Sequence, residues 1–155
     1  MTREEYGQKF NDHLLEQYKI YVEMTDRVST RRSQTNRFYV SLLSGLLALL
    51  SLVVSKGGIG QIPAVLFVAV AILGILLCLL WHVNIRVYRQ LNWGKFKVIN
   101  EMEQHLPLQP YDKEWKILQE GKRGKRYLGL SKVEQFVPFI VGLPFLLLLV
   151  YSFLT

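Results

Sequence analysis

The sequence predicts an all-α integral membrane protein with three transmembrane helices, an N-terminal hairpin plus a C-terminal span, whose long helices extend into the cytoplasm. Three observations predict it. Half of the 155 residues are hydrophobic, and they are gathered into blocks instead of spread along the chain. Three blocks, Phe38 to Ser55, Ile62 to Trp81 and Phe136 to Leu154, contain no Asp, Glu, Lys or Arg. Each is close to the roughly 20 residues that a helix needs to cross about 30 Å of hydrocarbon. Burying three all-round apolar helices in water would need a large surrounding shell, which the remaining residues cannot supply.

Residues 1–37 form the first part, a cytoplasmic amphipathic helix. Tyr6, Phe10, Leu14, Tyr18, Tyr21, Thr25 and Val28 recur at spacings of three and four, with Glu16, Lys19, Glu23 and Arg27 between them. Thr2 and Glu5 have capping-box spacing, and no proline stands before Phe38, so this helix is expected to run directly into the membrane. The mixed-charge stretch before the first span is too long for a secretory signal, and no cleavage is expected.

Residues 38–81 form the transmembrane hairpin. Its turn, Lys56 to Gln61, is glycine-rich and followed by Pro63. Helices associate in lipid through close backbone approach, which small residues allow. Ser41, Ser44, Gly45, Ala48 and Ser51 line one such face, and Ala64, Ala71, Gly74 and Cys78 a less regular one. Ser41, Gly45, Ala48, Ala71 and Gly74 are therefore the candidates for helix packing or an oligomer interface. Cys78 is the single cysteine, so no disulfide forms within the chain.

Residues 82–132 form a cytoplasmic stalk helix, a short helix and a basic turn. From Trp81 the helical pattern continues through Ile85, Tyr88, Leu91, Phe96, Ile99 and Met102 as far as Pro107 and Pro110, with Gly94 as its weakest point. Tyr18, Tyr21, Tyr88, Trp93 and Phe96 are read as the aromatic packing between stalk and amino-terminal helix. Tyr111 to Leu118 reads as a short helix that Asp112 caps. Lys122, Arg123, Lys125 and Arg126 precede the last span. They read first as a topology signal, with anionic-lipid contact as the other reading.

Residues 133–155 form the third transmembrane helix, which Ser131 and Glu134 start with capping-box spacing; pairing of Glu134 with a stalk arginine is the alternative. Pro144 is expected to kink this helix or free a backbone carbonyl. The span is built mostly of large residues, with Gly142 and Ser152 its main small ones, and should fill the periphery or cover the hairpin.

Orientation follows from the basic residues beside the spans. Seven lie in residues 1–37 and eleven in residues 82–132, against Lys56 alone in the hairpin turn. The amino terminus is thus expected in the cytoplasm of a multi-pass protein of a bacterial inner membrane.

Chemistry-bearing motifs are sparse. His13, His82 and His105 are isolated from one another, and no metal-ligand spacing, phosphate loop or nucleophile elbow appears, so no cofactor, metal, nucleic acid or enzyme activity is expected. The spans offer a pore only serines.

The order of several short segments is informative: Tyr18 to Met24, Ser29 to Phe38, Tyr88 to Asn92 with Lys95-Phe96, Leu106-Pro107, Glu114-Trp115, and Lys132 to Glu134 before Pro138. Together they resemble the RipA family of small octameric bacterial inner-membrane proteins. The resemblance implies a homo-oligomer, an octamer, without a defined catalytic activity, in a family linked to bacterial fitness and growth inside host cells. It makes a structural or scaffolding assembly with a cytoplasmic helical platform the first expectation, its cytoplasmic protein partner unnamed. A membrane-perturbing or pore-forming effector, as in bacterial defence, is the alternative.

Overall fold

A computed structural model describes residues 6–57, 63–120 and 133–154. Among the described residues four helices follow one another: α1 (Phe10–Gly57), α2 (Ala64–Glu103), α3 (Pro110–Glu120) and α4 (Val137–Leu154). The first two are 48 and 40 residues long. At about 1.5 Å per residue each is roughly twice as long as the hydrocarbon layer is thick. The expected run of α1 into its span without a break is present, and α2 passes Gly94 uninterrupted. Three helices, α1, α2 and α4, are long and apolar enough to cross a membrane.

One start differs from the sequence reading. Gly7 has φ of +89°, a left-handed conformation that glycine adopts without steric cost, and the unbroken helix begins after it, at Phe10. The capping box at Thr2 lies outside the described residues, as do Ser131, most of the hairpin turn and the basic cluster Lys122, Arg123, Lys125 and Arg126. Pro144 is carried inside α4.

The chain divides into two compact units. A membrane unit comprises Arg32–Val87 and Gly129–Thr155, and a polar unit Met1–Arg31 and Tyr88–Leu128.

The membrane unit is centred on Tyr39, Leu43, Cys78, Trp81, Ile85 and Phe145. Phe145 is fully buried, and a Cβ on Gly74 would lie within 2.5 Å of its ring. Glycine at position 74 is thus what lets α4 approach α2 at this level. About one turn along, a Cβ on Gly142 would touch Cys78 Sγ at 3.4 Å. The third span therefore covers the hairpin and contributes to its core.

The polar unit is built on a 3–4 repeat. In α1 the inward positions are Tyr18, Tyr21, Thr25 and Val28, and in α2 they are Tyr88, Asn92, Lys95 and Ile99. This spacing keeps one stripe of each helix turned inward over several turns.

Candidate functional site

The polar unit holds the arrangement with the most chemistry. Glu103, the last residue of α2, is fully buried. Its Oε1 accepts a hydrogen bond from Tyr18 Oη at 2.9 Å and one from the Tyr111 backbone N–H at 3.1 Å. Its Oε2 accepts from the Asp112 N–H at 3.3 Å. Burying a carboxylate is expensive unless such donors compensate it, and here three donors from two other helices, α1 and α3, converge on it.

Two of those donors are the orphan amides of the first turn of α3. A helix N-terminus carries partial positive charge that favours an anion, so Glu103 caps α3 from a distance and ties it to α1 and α2. The sequence reading gave that role to Asp112. The helix begins two residues earlier, with Pro110 in its first turn, which leaves Asp112 inside the helix and ion-paired to Lys116 at 2.5 Å. Glu103 carried no local signal, because its partners are 8, 9 and 85 residues away.

The cluster shifts two phenols. Burial, then the hydrogen bond to Glu103 and its charge, push Tyr18 from 10.0 up to about 12. Tyr111 is also raised, first by burial and then by the carboxylates of Glu114, Glu103 and Asp26. Both phenols therefore stay neutral at physiological pH, and that of Tyr18 donates to Glu103.

Beside this anchor, α2 and α3 enclose an open cavity of about 710 Å³. From α2 it is lined by Trp93, Phe96, Lys97 and Asn100. The α3 wall is Tyr111, Glu114, Trp115 and Leu118. Phe96 meets Tyr111 edge to face at 5.6 Å, and Lys97 Nζ lies 5.9 Å from the Trp93 ring centroid.

The cavity corrects the reading of two aromatics. Trp93 is 70% exposed and Phe96 38%, so they wall the cavity and are not buried between α1 and α2. At about 100° per residue, Trp93 is one position past the inward Asn92 and Phe96 one past Lys95, which turns both to the flank. Tyr18, Tyr21 and Tyr88 do sit on the inward stripe, and Lys95 Nζ lies 5.6 Å from the Tyr21 ring centroid.

A second polar arrangement lies in the membrane unit. Trp81 Nε1 donates to Asn36 Oδ1 at 2.8 Å, and the Trp81 ring stacks on Tyr39 with centroids 5.8 Å apart. Asn84 Nδ2 donates to Tyr39 Oη at 2.9 Å. His82 Nδ1 lies 3.3 Å from the Gln135 carbonyl oxygen, and its ring lies 4.9 Å from that of Phe139. Glu134 pairs with Arg32 at 3.6 Å. That arginine precedes the first span on α1, so the partner is not the stalk arginine that sequence reasoning considered.

The small-residue candidates divide. Ala71 and Gly74 are buried within the membrane unit, whereas Ser41, Gly45 and Ala48 are exposed, and a Cβ on Gly45 would meet nothing within 4 Å. Among the described residues no group of three or more His, Cys, Asp or Glu is placed to hold a metal.

Residues 15–154 match a family model described as the octameric membrane protein family (8xMP). No curated protein and no solved structure matches the chain. The family match bears out the small octameric membrane family that the sequence resembles; its description does not itself carry the RipA name.

Proposed function

We propose that this chain, which belongs to the octameric membrane protein family, is a non-enzymatic scaffold whose eight copies present their polar units to a cytoplasmic protein. On this reading the assembly lies in a bacterial inner membrane with its amino termini in the cytoplasm, where the basic residues flanking the spans favour them. It takes no cofactor and no nucleic acid. Copies meet in the membrane through the exposed face at Ser41, Gly45 and Ala48.

The observation that carries the reading is the use made of Glu103. The polar unit's buried carboxylate is fully engaged in fixing one helix on two others. A general acid or base must reach a substrate proton, and a carboxylate spent on two backbone amides and a phenol is placed to hold a surface rigid. Rigid, aromatic-rich surfaces are what protein recognition favours.

Native mass spectrometry of the detergent-purified chain, with ion flux measured in liposomes from the same preparation, tests the proposal. A tight octamer without flux is the expected result. Flux that depends on the octamer would overturn the scaffold in favour of a pore-forming effector.

A further inference from the structure

We infer that Arg37 and Arg86 of the membrane unit bind the phosphate groups of anionic phospholipids. The inference uses only the insertion of the spans in a membrane and is independent of the scaffold reading.

The charge pattern of the sequence is the first support. No Asp or Glu occurs from Arg27 to Asn100. On the side of the first two spans opposite Lys56, the flanking basic residues are Arg27, Arg31, Arg32, Arg37, Arg86 and Arg89, with no lysine among them. Lysine would serve equally well as a topology signal. Arginine is the residue whose planar fork of donors matches a phosphate in two parallel hydrogen bonds.

The structure then separates the arginines of the membrane unit. Arg32 is taken by Glu134, the one acid among the unit's described residues. Arg37 and Arg86 are exposed, and among the described residues neither forms an ion pair. Their own helices offer them no acid. Three and four positions from Arg37 stand Ser33, Gln34, Val40 and Ser41, and from Arg86 His82, Val83, Arg89 and Gln90.

Depth identifies the counter-ion. The stack of Tyr39 on Trp81 fixes the level at which the charge-free runs of α1 and α2 end. Outward from it Arg37 is two residues along α1 and Arg86 five along α2, or about 3 and 7 Å at about 1.5 Å per residue. The headgroup layer of one leaflet is about 5–8 Å thick, so both arginines stand in it. A zwitterionic headgroup would also bring an ammonium, and the acid at hand, Glu134, is already paired. An anionic headgroup brings the phosphate without that cation.

Native mass spectrometry of the full chain in detergent tests it, with phosphatidylglycerol or phosphatidylcholine of the same acyl chains added as probes. Each cation near an anionic surface corresponds to about fivefold in binding, so the unaltered protein should retain about tenfold more phosphatidylglycerol. Arg37→Gln with Arg86→Gln should bring the two lipids to equal retention. Arg37→Lys with Arg86→Lys keeps both charges, and with them the orientation of the spans, yet should lose about threefold because lysine binds phosphate as a point charge. Equal retention of both lipids by the unaltered protein overturns the inference, and so does full retention in the lysine variant. The same loss from Lys9→Gln with Lys19→Gln overturns it in favour of net charge alone. Release of the lipid by excess inorganic phosphate would make the site one for the free anion and overturn it as well. Oligomer mass in the same spectra reports on the assembly, so an octamer without lipid preference overturns this inference alone.

Discussion

Replacing Glu103 with alanine should release α3 while leaving α1 and α2 helical. The carboxylate accepts three hydrogen bonds, two from backbone amides of the first turn of α3 and one from Tyr18. Losing a helix cap costs about 1 kcal/mol, and a bond to a charged acceptor contributes about 1.5–3 kcal/mol. Water entering the vacated space will solvate some of the stranded donors, so a total of about 3 kcal/mol is a fair figure. At about 1.4 kcal/mol per factor of ten, amide hydrogen exchange at Tyr111, Asp112 and the following turn of α3 should accelerate about a hundredfold. Hydrogen exchange in detergent suits this better than thermal melting, because the spans dominate any helical signal. Glu103→Gln retains one carbonyl oxygen and should show a smaller increase. Acceleration below about threefold in Glu103→Ala would show that α3 is held by something other than this carboxylate.

The remaining predictions concern separate sites. Gly74→Ala should destabilise the membrane unit by about 1–3 kcal/mol through overpacking against Phe145, and Gly74→Ala with Phe145→Leu should recover much of the loss, read from thermal aggregation in detergent. Trp81→Phe keeps the stack on Tyr39 but loses the bond to Asn36, and a double-mutant cycle with Asn36→Ala should return a coupling of about 0.6 kcal/mol. The folded pKa of Tyr18, about 12, lies above its ordinary 10.0. Its neutral form therefore supports the fold fully below pH 10, and that support is lost as pH rises toward 12; Tyr18→Phe should flatten the alkaline loss of α3 protection. Gly45→Leu should leave the protomer folded and lower the octameric fraction in native mass spectrometry. A periplasm-dependent reporter fused after Thr155 should be active, and a silent fusion at normal expression would contradict the three-span orientation.

The spans and the two long helices were legible because both rest on signals repeated over many residues: charge-free apolar runs, and inward residues every three or four positions. One misplaced residue does not erase such a pattern. Tyr18 and Tyr21 were legible for the same reason. Trp93 and Phe96 were not, since periodicity locates a stripe only to within one position and both stand next to an inward residue. Glu103 was invisible for a different reason. A buried acid beyond the last apolar residue of a helix looks like any solvated charge until a distant segment brings amides to it. Arg32 was missed as the partner of Glu134 because ion pairing between helices depends on their rotation, and neither sequence segment reports that.

Within one copy the most apolar windows of the three spans are only 6%, 28% and 11% buried, so most of their surface is left to lipid or to other copies. Hydrophobicity cannot decide between those two, because lipid tails are as apolar as leucine. Close approach and polar bonds can. On α2 these are spent inside the protomer, with Gly74 beneath Phe145, Cys78 against Gly142, and Trp81 bonded to Asn36. The exposed residues of α4 include Ile140, Leu143, Leu147, Phe153 and Leu154, large side chains that hold a neighbouring backbone away. On α1 the exposed Ser41, Gly45 and Ala48 follow one another at three- and four-residue spacing, with open space where a Cβ on Gly45 would stand. That same spacing, carried back along the helix through Phe38, Gln34, Arg31 and Arg27, arrives at Met24 and Ile20, and every one of these positions is exposed. A helix that keeps one face for its own chain and a second exposed face at seven-residue spacing has the pattern of a helix with two neighbours. The first neighbour is α2 of the same chain, and α1 is therefore the element on which contacts between copies should concentrate.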